Sequence, residues 1–202
     1  MFVTLEGGDA CGKSTQIRLL AEHLKGAGRE IVTTREPGGS VAAEAVRALV
    51  KSARFSFSHV AEQLLFMAAR RDHIDKVIRP ALDRGAIVLC DRFVHSTLAY
   101  QGGTDPAVWQ RLLDDHARFC DDLLPDMAIY IDVDREEARR RLTERGSAAD
   151  DAFERRDEEF QEQVRAAYRA MASVQLASLV NVDGVGAPDE VAARIAEVLA
   201  NR

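Results

Sequence analysis

The sequence has little of what marks a secreted, membrane-spanning or nucleic-acid-coating protein. Its 202 residues include only three cysteines, Cys11, Cys90 and Cys120. This odd, widely spaced set excludes a disulfide framework and favours a reducing compartment, so a cytoplasmic protein is predicted. No stretch approaches the roughly 20 consecutive apolar residues that a membrane span needs. The net charge of −6 argues against a general nucleic-acid-binding surface.

The composition is otherwise that of an ordinary globular protein, with 47% hydrophobic and 30% charged residues. The apolar stretch 2–5 leads straight into a glycine-rich segment, which predicts that no signal peptide is present. The sequence has no internal repeat and no low-complexity linker. These features predict one domain over residues 1–202.

Residues 7–14, GGDACGKS, fit the phosphate-loop pattern G-x-x-x-x-G-K-[ST] at every fixed position. An apolar run precedes them and an amphipathic run, 17–24, follows, which is the strand, loop and helix setting that the pattern requires. Glycines let several N–H groups point at one anion, and the helix start adds partial positive charge. Lys13 is predicted to reach the β- and γ-phosphates, and the Ser14 hydroxyl to bind Mg²⁺. The residues predicted to hold the nucleoside triphosphate are Gly7, Gly8, Asp9, Ala10, Cys11, Gly12, Lys13, Ser14 and Thr15.

Short aliphatic runs alternate with helical patterns along the chain. The predicted strands are 2–5, 30–34, 86–90, 127–131 and 179–182. This alternation predicts an α/β fold of three layers, a five-stranded parallel sheet flanked by helices, as in phosphate-loop nucleotide-binding proteins. Ligands bind at the carboxyl ends of such strands, so segments 6–14, 35–40 and 91–93 are predicted to share one rim.

Two segments interrupt the regular alternation. One is a long helical segment, about 58–83, and the other is a polar loop of small residues, 144–151, between two helices. The loop is flanked by arginines, and phosphate-transferring enzymes often close over their substrate. A lid over about 141–153 is therefore expected, with a plain surface loop as the alternative.

A second group of candidate site residues follows the third predicted strand. Asp91 can provide a further Mg²⁺ contact, usually through water. Arg92 can hold a phosphate with its planar fork. The polar segment 95–103 offers donors, acceptors and a ring for a base or sugar. Phe66 and Arg70, four residues apart, can stack on a base and bond its carbonyl, or can be a core ring beside a surface charge.

Four motifs resemble those of thymidylate kinases, and they occur in that family's order. They are the phosphate loop, the REPGG turn at 35–39, the LLFMAAR helix at 64–70 and DRFVHSTLAYQG at 91–102. The last is the most specific, since it is similar to the family's D-R-[FY]-x-x-S-x-x-A-Y-Q-G. The resemblance covers nearly the whole chain. It implies transfer of a phosphoryl group from ATP to dTMP with Mg²⁺, by a homodimer.

The resemblance also implies individual roles. Phe66 would stack on thymine, Arg70 would bond its carbonyl, and Tyr100 would disfavour a 2′-hydroxyl. The residues implied in dTMP binding are Asp9, Glu36, Pro37, Arg47, Phe66, Arg70, Arg92, Ser96, Tyr100 and Gln101. The implied catalytic residues are Lys13, Arg92, Asp9 and Arg145. Arg145 is included because Ala10 stands where some relatives carry a loop arginine, so the lid would supply it; Arg141 and Arg140 are the alternatives.

Two other functions stay open at this point. A deoxynucleoside kinase would need a carboxylate base for its hydroxyl acceptor, which Glu36 could provide, but Arg47 and Arg92 would then have no acceptor phosphate to bind. A nucleotide-dependent switch or ATPase module is the other, although the sequence lacks the guanine-reading Asn-Lys-x-Asp segment. The adenine pocket is expected between the lid helix and segment 183–188.

Overall fold

Five short strands form one parallel sheet in the computed structural model, which describes residues 1–52, 54–145 and 158–201. The strands are β1 (Phe2–Glu6), β2 (Ile31–Arg35), β3 (Ile87–Asp91), β4 (Met127–Asp132) and β5 (Leu179–Asp183). Their order across the sheet is β2-β3-β1-β4-β5, so β1 is central. Every residue of β1 is buried, as expected for a strand that helices cover on both faces.

All five predicted strands are present, but each ends one residue later than predicted. Leu5 pairs with Asp91, and Asp91 pairs in turn with Arg35. The parallel ladder therefore extends through the polar residue at each carboxyl end. Glu6, Arg35 and Asp91 were predicted to follow their strands directly, but they are the last residues of those strands, so backbone pairing fixes their positions.

The helices of the described residues alternate with these strands. They are α1 (Lys13–Leu24), α2 (Val41–Lys51), α3 (His59–His73), α4 (Arg79–Asp83), α5 (Val94–Gly102), α6 (Pro106–Cys120), α7 (Arg135–Arg145), α8 (Glu158–Ser173) and α9 (Pro188–Ala200). None of these described helices has the length and apolar character needed to span a membrane.

The helices cover the two faces of the sheet in separate cores. On one face, Leu5 packs in a cluster with Ile17 of α1 and Ile195 of α9. On the other face, Phe2 belongs to a cluster with residues of α3 and α5, while Tyr130 packs with residues of α5, α6 and α8. The predicted three-layer α/β fold is confirmed.

The predicted single helix over 58–83 is interrupted. A π-helical turn, Ile74–Ile78, separates α3 from α4. Across it, the backbone N–H of Arg79 donates to the Ile74 carbonyl, one residue further back than in an α-helix. The reason lies one residue later: Pro80 has no N–H to donate and its ring crowds the preceding turn, so a wider turn accommodates it.

Candidate active site

The phosphate loop connects β1 to α1 through left-handed backbone conformations. Ala10 has φ 58° and Gly12 has φ 103°, and Gly12 is the N-cap of α1. The first turn of α1 contains no acidic residue, so the positive end of the helix stays uncompensated. Lys13 is buried, and its Nζ donates to the carbonyl of Gly8 at 2.8 Å and to that of Gly7 at 3.2 Å. Its charge therefore lies over the loop, where an anion would bind.

The two residues predicted to bind Mg²⁺ are in direct contact. The Ser14 hydroxyl donates to Oδ2 of Asp91 at 2.9 Å. Hydroxyl and carboxylate oxygens are donors that suit Mg²⁺, which also keeps water and phosphate ligands. Within the described residues, no group of three or more His, Cys, Asp or Glu side chains gathers around a metal-sized space. Ser14 and Asp91 thus offer two neighbouring oxygens that would suit Mg²⁺.

Arg92 follows Asp91 in a left-handed conformation, φ 71°, which is uncommon for a residue with a side chain. Its Nη2 donates to Oδ1 of Asp9 at 2.7 Å, and its Nη1 donates to the Gly7 carbonyl at 2.8 Å. The guanidinium also lies 5.1 Å from the centre of the Tyr100 ring. Burial acts to raise the pKa of Asp9, but the charges of Arg92 and Lys13 outweigh it and lower the pKa. Asp9 is therefore ionised beside the phosphate loop.

A cleft of about 290 Å³ opens between the phosphate loop and the carboxyl ends of β2 and β3. It contains all ten residues implied in dTMP binding, together with Lys13, Ser14 and Asp91. The lining residues are Asp9, Ala10, Gly12, Lys13, Ser14, Arg35, Glu36, Pro37, Arg47, Lys51, Phe66, Arg70, Asp91, Arg92, Phe93, Ser96, Thr97, Tyr100 and Gln101. The segments predicted to share one rim do line this single space.

The end of the cleft next to Glu36 and Thr97 is built around Arg70, which is only 3% exposed. Its Nε donates to Oε2 of Glu36 at 2.7 Å, and its Nη2 donates to Thr97 Oγ1 at 2.9 Å and to the Phe93 carbonyl at 3.1 Å. Its Nη1 is buried and has no hydrogen-bond partner among the described residues. Phe66, one helical turn earlier, lines the same space. This end thus presents a fixed cationic donor beside an aromatic ring.

The carboxylate of Glu36 is fully engaged. Oε2 accepts from Arg70, and Oε1 lies 3.0 Å from Nδ1 of His73. Burial acts to raise the pKa of Glu36, but the charge of Arg70 and the hydrogen bond from His73 outweigh it and lower the pKa. A general base works best with a pKa near the working pH, and the lowered pKa of Glu36 makes it a weak base. The geometry therefore argues against the deoxynucleoside kinase alternative.

Ser96 and Gln101 line the cleft, but their polar groups bond inside the protein. The Ser96 hydroxyl donates to Oε2 of Glu6 at 2.7 Å and lies 2.8 Å from the Tyr168 hydroxyl. Burial raises the pKa of Glu6, while hydrogen bonds such as that from Ser96 oppose the rise. Gln101 donates to Glu62 at 3.0 Å. Both residues therefore shape the wall of the cleft through contacts behind it.

The cleft also contains residues that were not predicted from the sequence. Lys51 lines the cleft one helical turn after Arg47, so the two cations share a face of α2. That spacing was readable in the sequence. Nη1 of Arg47 donates to the Pro37 carbonyl at 2.9 Å, which ties α2 to the preceding turn. Thr97, the partner of Arg70, gave no signal, because an uncharged helix residue does not reveal its distant contact.

Of the candidate lid arginines, Arg141 lies against the phosphate loop. Its Nη1 donates to the Cys11 carbonyl at 3.2 Å, and its Nη2 donates to the Gly184 carbonyl at 2.9 Å. Arg140 instead pairs with Glu137 and Glu144 on its own helix. Arg145 ends α7, and its side chain lies outside the described residues, as do residues 146–153 of the predicted lid.

The segment 183–188, which is expected to border adenine, is also hydrogen-bonded by residues of α9 and α1. Arg194 of α9 donates from Nη1 to the Asp183 carbonyl at 2.8 Å and to the Val185 carbonyl at 2.6 Å. Gln16 of α1 donates to the Pro188 carbonyl at 2.9 Å. These bonds fix the loop after β5 beside the start of α1.

The sheet, the loop and the facing polar pocket define the class, a phosphate-loop kinase of the α/β type. A family model described as thymidylate kinase matches residues 5–195. The thymidylate kinase of Rhizorhabdus wittichii is 43% identical, over 99% of this chain and 97% of that protein. That of Caulobacter vibrioides is 45% identical, over 100% of this chain and 96% of that protein.

The fold agrees with these matches. A crystal structure of thymidylate kinase from Ehrlichia chaffeensis superposes with a TM-score of 0.76 at 33% identity, covering 98% of each chain. The chain belongs to the thymidylate kinase family.

The buried pair of Arg70 and Glu36 yields a stability prediction. Arg70→Met should lower the free energy of unfolding by about 3–5 kcal/mol, because it leaves a buried carboxylate without its cationic partner. Arg84→Met, which breaks the half-exposed pair with Glu30, is the matched control and should have little effect. Urea unfolding at neutral pH measures both.

Acidification provides a second arm of that experiment. The lowered pKa of Glu36 means that its contribution is present above the ordinary carboxyl pKa and is lost as the pH falls through the folded-state value. Wild-type protein should therefore lose more stability than Arg70→Met between neutral and acidic pH. Equal losses in Arg70→Met and Arg84→Met at neutral pH would contradict the assigned importance of the buried pair.

Proposed function

We propose that this protein transfers the γ-phosphoryl group of ATP to dTMP and yields ADP and dTDP. The observation that carries the proposal is a single cleft with two different ends. One end has the phosphate loop with Lys13, and the other has Phe66 with the buried donor of Arg70. Arg92 lines the same cleft and donates to Asp9 of the phosphate loop at 2.7 Å. Family membership supports the choice of thymidine monophosphate as acceptor.

The acceptor would bind with its base at the Arg70 end. Thymine would stack on Phe66, and Nη1 of Arg70 would donate to a base carbonyl, which satisfies a buried donor that otherwise has no partner among the described residues. Tyr100, held beside Arg92, would border the deoxyribose and disfavour a 2′-hydroxyl. Glu36, Pro37, Ser96 and Gln101 would complete the wall.

The acceptor phosphate would lie toward Arg47, Arg92 and Asp9. An oxygen of this phosphate is already anionic, so it can attack the γ-phosphorus without a strong general base. The new bond joins that oxygen to the γ-phosphorus, and the bond from phosphorus to the β–γ bridging oxygen breaks, leaving its electrons on ADP. Lys13 and Arg92 would offset the repulsion between the two anions, as would a cation from the lid helix, for which Arg145 stays a prediction.

Mg²⁺ fits this scheme through Ser14 and Asp91, whose oxygens are 2.9 Å apart at the edge of the cleft. Such an ion, when bound, neutralises charge on the triphosphate and fixes its orientation. The protein's own contribution is positional: the loop amides and Lys13 hold the donor, and Arg92 holds the acceptor in line with it.

Substitution of the two central cations tests the proposal. Lys13→Ala and Arg92→Ala should each lower kcat with dTMP by about a thousandfold. Each removes a positive charge that stabilises the transition state more than the bound substrates. Arg18→Ala, which breaks an exposed ion pair with Glu22 on α1, is the control and should keep wild-type turnover. A coupled assay of ADP release measures all three.

The acceptor identity is tested in the same assay. Wild-type protein should act on dTMP and not on thymidine, and it should release little ADP without an acceptor. Thymidine turnover would favour a deoxynucleoside kinase, and strong acceptor-independent hydrolysis would favour an ATPase module. A tenth of wild-type kcat or more in Arg92→Ala would remove that residue from the proposed mechanism.

Phe66 supplies a prediction for the base end. Phe66→Ala should raise KM for dTMP by about tenfold or more, because it removes the stacking surface, and leave KM for ATP little changed. Phe55→Ala, which removes an exposed ring outside the cleft, is the matched control. Equal rises in both KM values would place Phe66 outside the base site.

We also infer that two copies of this chain pair through α3. Val60 is 61% exposed and Leu64 is 58% exposed, and with the exposed Ala68 they form an apolar stripe at four-residue spacing. Met67 and Arg70 of the same helix are buried, and Arg70 lines the cleft. An exposed apolar stripe backed by a site residue is a surface that a second copy would cover.

Sedimentation equilibrium tests the pairing. Wild-type protein should behave as a dimer, whereas Leu64→Asp should shift it toward monomer, because a carboxylate would be buried in an apolar contact. Val174→Asp changes a side chain of similar exposure outside α3 and should leave the mass unchanged. A monomeric wild type, or an unaffected Leu64→Asp, would contradict the inference.

A cytoplasmic setting without nucleic-acid or membrane partners completes the proposal. It is supported by the three cysteines, Cys11, Cys90 and Cys120, which are all unpaired and buried. Free thiols of this kind persist in reducing compartments.

A further inference from the structure

His73, the last residue of α3, is fully buried and has no role in the mechanism above. It does not line the cleft, yet both of its ring nitrogens have partners. Nδ1 lies 3.0 Å from Oε1 of Glu36, and Nε2 lies 2.7 Å from the Thr34 hydroxyl. A buried imidazole with a hydrogen-bond partner at each nitrogen, this close to a site residue, suggests a specific function.

The contacts form a continuous path from β2 to the cleft. Thr34 bonds His73, His73 bonds Oε1 of Glu36, and Oε2 of Glu36 accepts from Nε of Arg70 at 2.7 Å. Arg70 then presents Nη1, which has no partner among the residues described. Glu36 thus bonds Arg70, which lines the cleft, through one oxygen and His73, which does not, through the other.

The ring of His73 has no room to move. A Cβ on Gly39, whose φ is +87°, would come within about 2.3 Å of Nε2, so the ring is pressed against the backbone of the turn. On the neighbouring residue, the Ser40 hydroxyl bonds the carboxylate of Asp72. The turn after β2 is therefore bonded to the end of α3 at Asp72 as well as at His73.

The direction of one hydrogen bond follows from chemistry. The Glu36 carboxylate can only accept, so Nδ1 of His73 carries the proton between them. Nε2 then faces a hydroxyl that can donate or accept. The Nδ1 donor holds Oε1 of Glu36 in place, which leaves Oε2 aligned with Nε of Arg70.

We propose that His73 is a positioning residue for base selection, acting through Glu36 on Arg70. Thymine has a carbonyl at C4, whereas cytosine has an amino donor there. A rigid donor at that edge bonds the first and opposes the second, and it discriminates only as well as its own position is fixed. The inference rests on the proposed function, since it concerns how the base end chooses its pyrimidine.

Two amide substitutions separate the two nitrogens of His73. Asparagine places its amide near Nδ1 and can still donate to Glu36, while glutamine places its amide near Nε2 and can bond only Thr34. His73→Gln should raise KM for dTMP by about tenfold and lower the preference for dTMP over dCMP by a similar factor, as expected for losing one bond to a charged group. KM for ATP should not change.

The other substrates and variants act as controls. His73→Asn should stay near wild type in both respects, and the preference for dTMP over dUMP should be unchanged in every variant, because uracil keeps the C4 carbonyl. His116→Gln changes another buried histidine, bonded to the Leu123 carbonyl, and should keep the preference for dTMP over dCMP. Thr34→Val removes only the far end of the path and should shift selectivity in the same direction as His73→Gln, but less.

The outcomes distinguish the two proposals. If wild-type protein phosphorylates dTMP but His73→Gln keeps its selectivity, or loses kcat equally with all acceptors, the positioning role is wrong and the proposed function stands. If His73→Gln does not fold, an unchanged dTMP-to-dCMP preference in Thr34→Val overturns the role. If wild-type protein does not act on dTMP, both fail.

Discussion

The parallel pairing of β1 with β3 is the constraint on which the site depends. It places Leu5 opposite Asp91, and the backbone N–H of Arg92 donates to the Leu5 carbonyl at 2.9 Å. The phosphate loop leaves one strand and the Asp91-Arg92 pair leaves the other. Residues more than 75 positions apart in the chain thereby come within hydrogen-bond distance, Ser14 with Asp91 and Asp9 with Arg92. The cations proposed to offset phosphate repulsion are thus positioned by the register of the sheet.

The proposed base site depends on a different arrangement, a buried positive charge that a buried carboxylate neutralises. Arg70 is held by Glu36, Thr97 and the Phe93 carbonyl, and Glu36 is itself held by His73. A buried guanidinium is tolerated because three of its five N–H donors are bonded and a carboxylate balances its charge. The device is rigid for the same reason, and rigidity is what recognition of one carbonyl requires.

Sequence alone predicted much of this arrangement because its strongest signals are local. The phosphate loop, the five strands and the helix containing Phe66 and Arg70 are patterns within about ten residues, and the structure has each of them. The missed features are long-range pairs: Thr97 with Arg70, Glu6 with Ser96, and His73 with Glu36. Their side chains are ordinary for a helix or strand, so only the folded structure shows which residues are hydrogen-bond partners. The strand ends were wrong by one residue because backbone pairing extends the ladder over polar side chains.

Two cleft residues described above, Arg70 and Asp9, have a thermodynamic consequence. Nη1 of Arg70 and Oδ2 of Asp9 are both buried and both without a partner among the described residues. Each such atom costs folding free energy of about 1–3 kcal/mol that a bound ligand can return. The enzyme without substrate therefore gives up some folding stability for recognition, because its unsatisfied polar groups belong to the proposed substrate site. Selection for greater heat resistance would act against these groups.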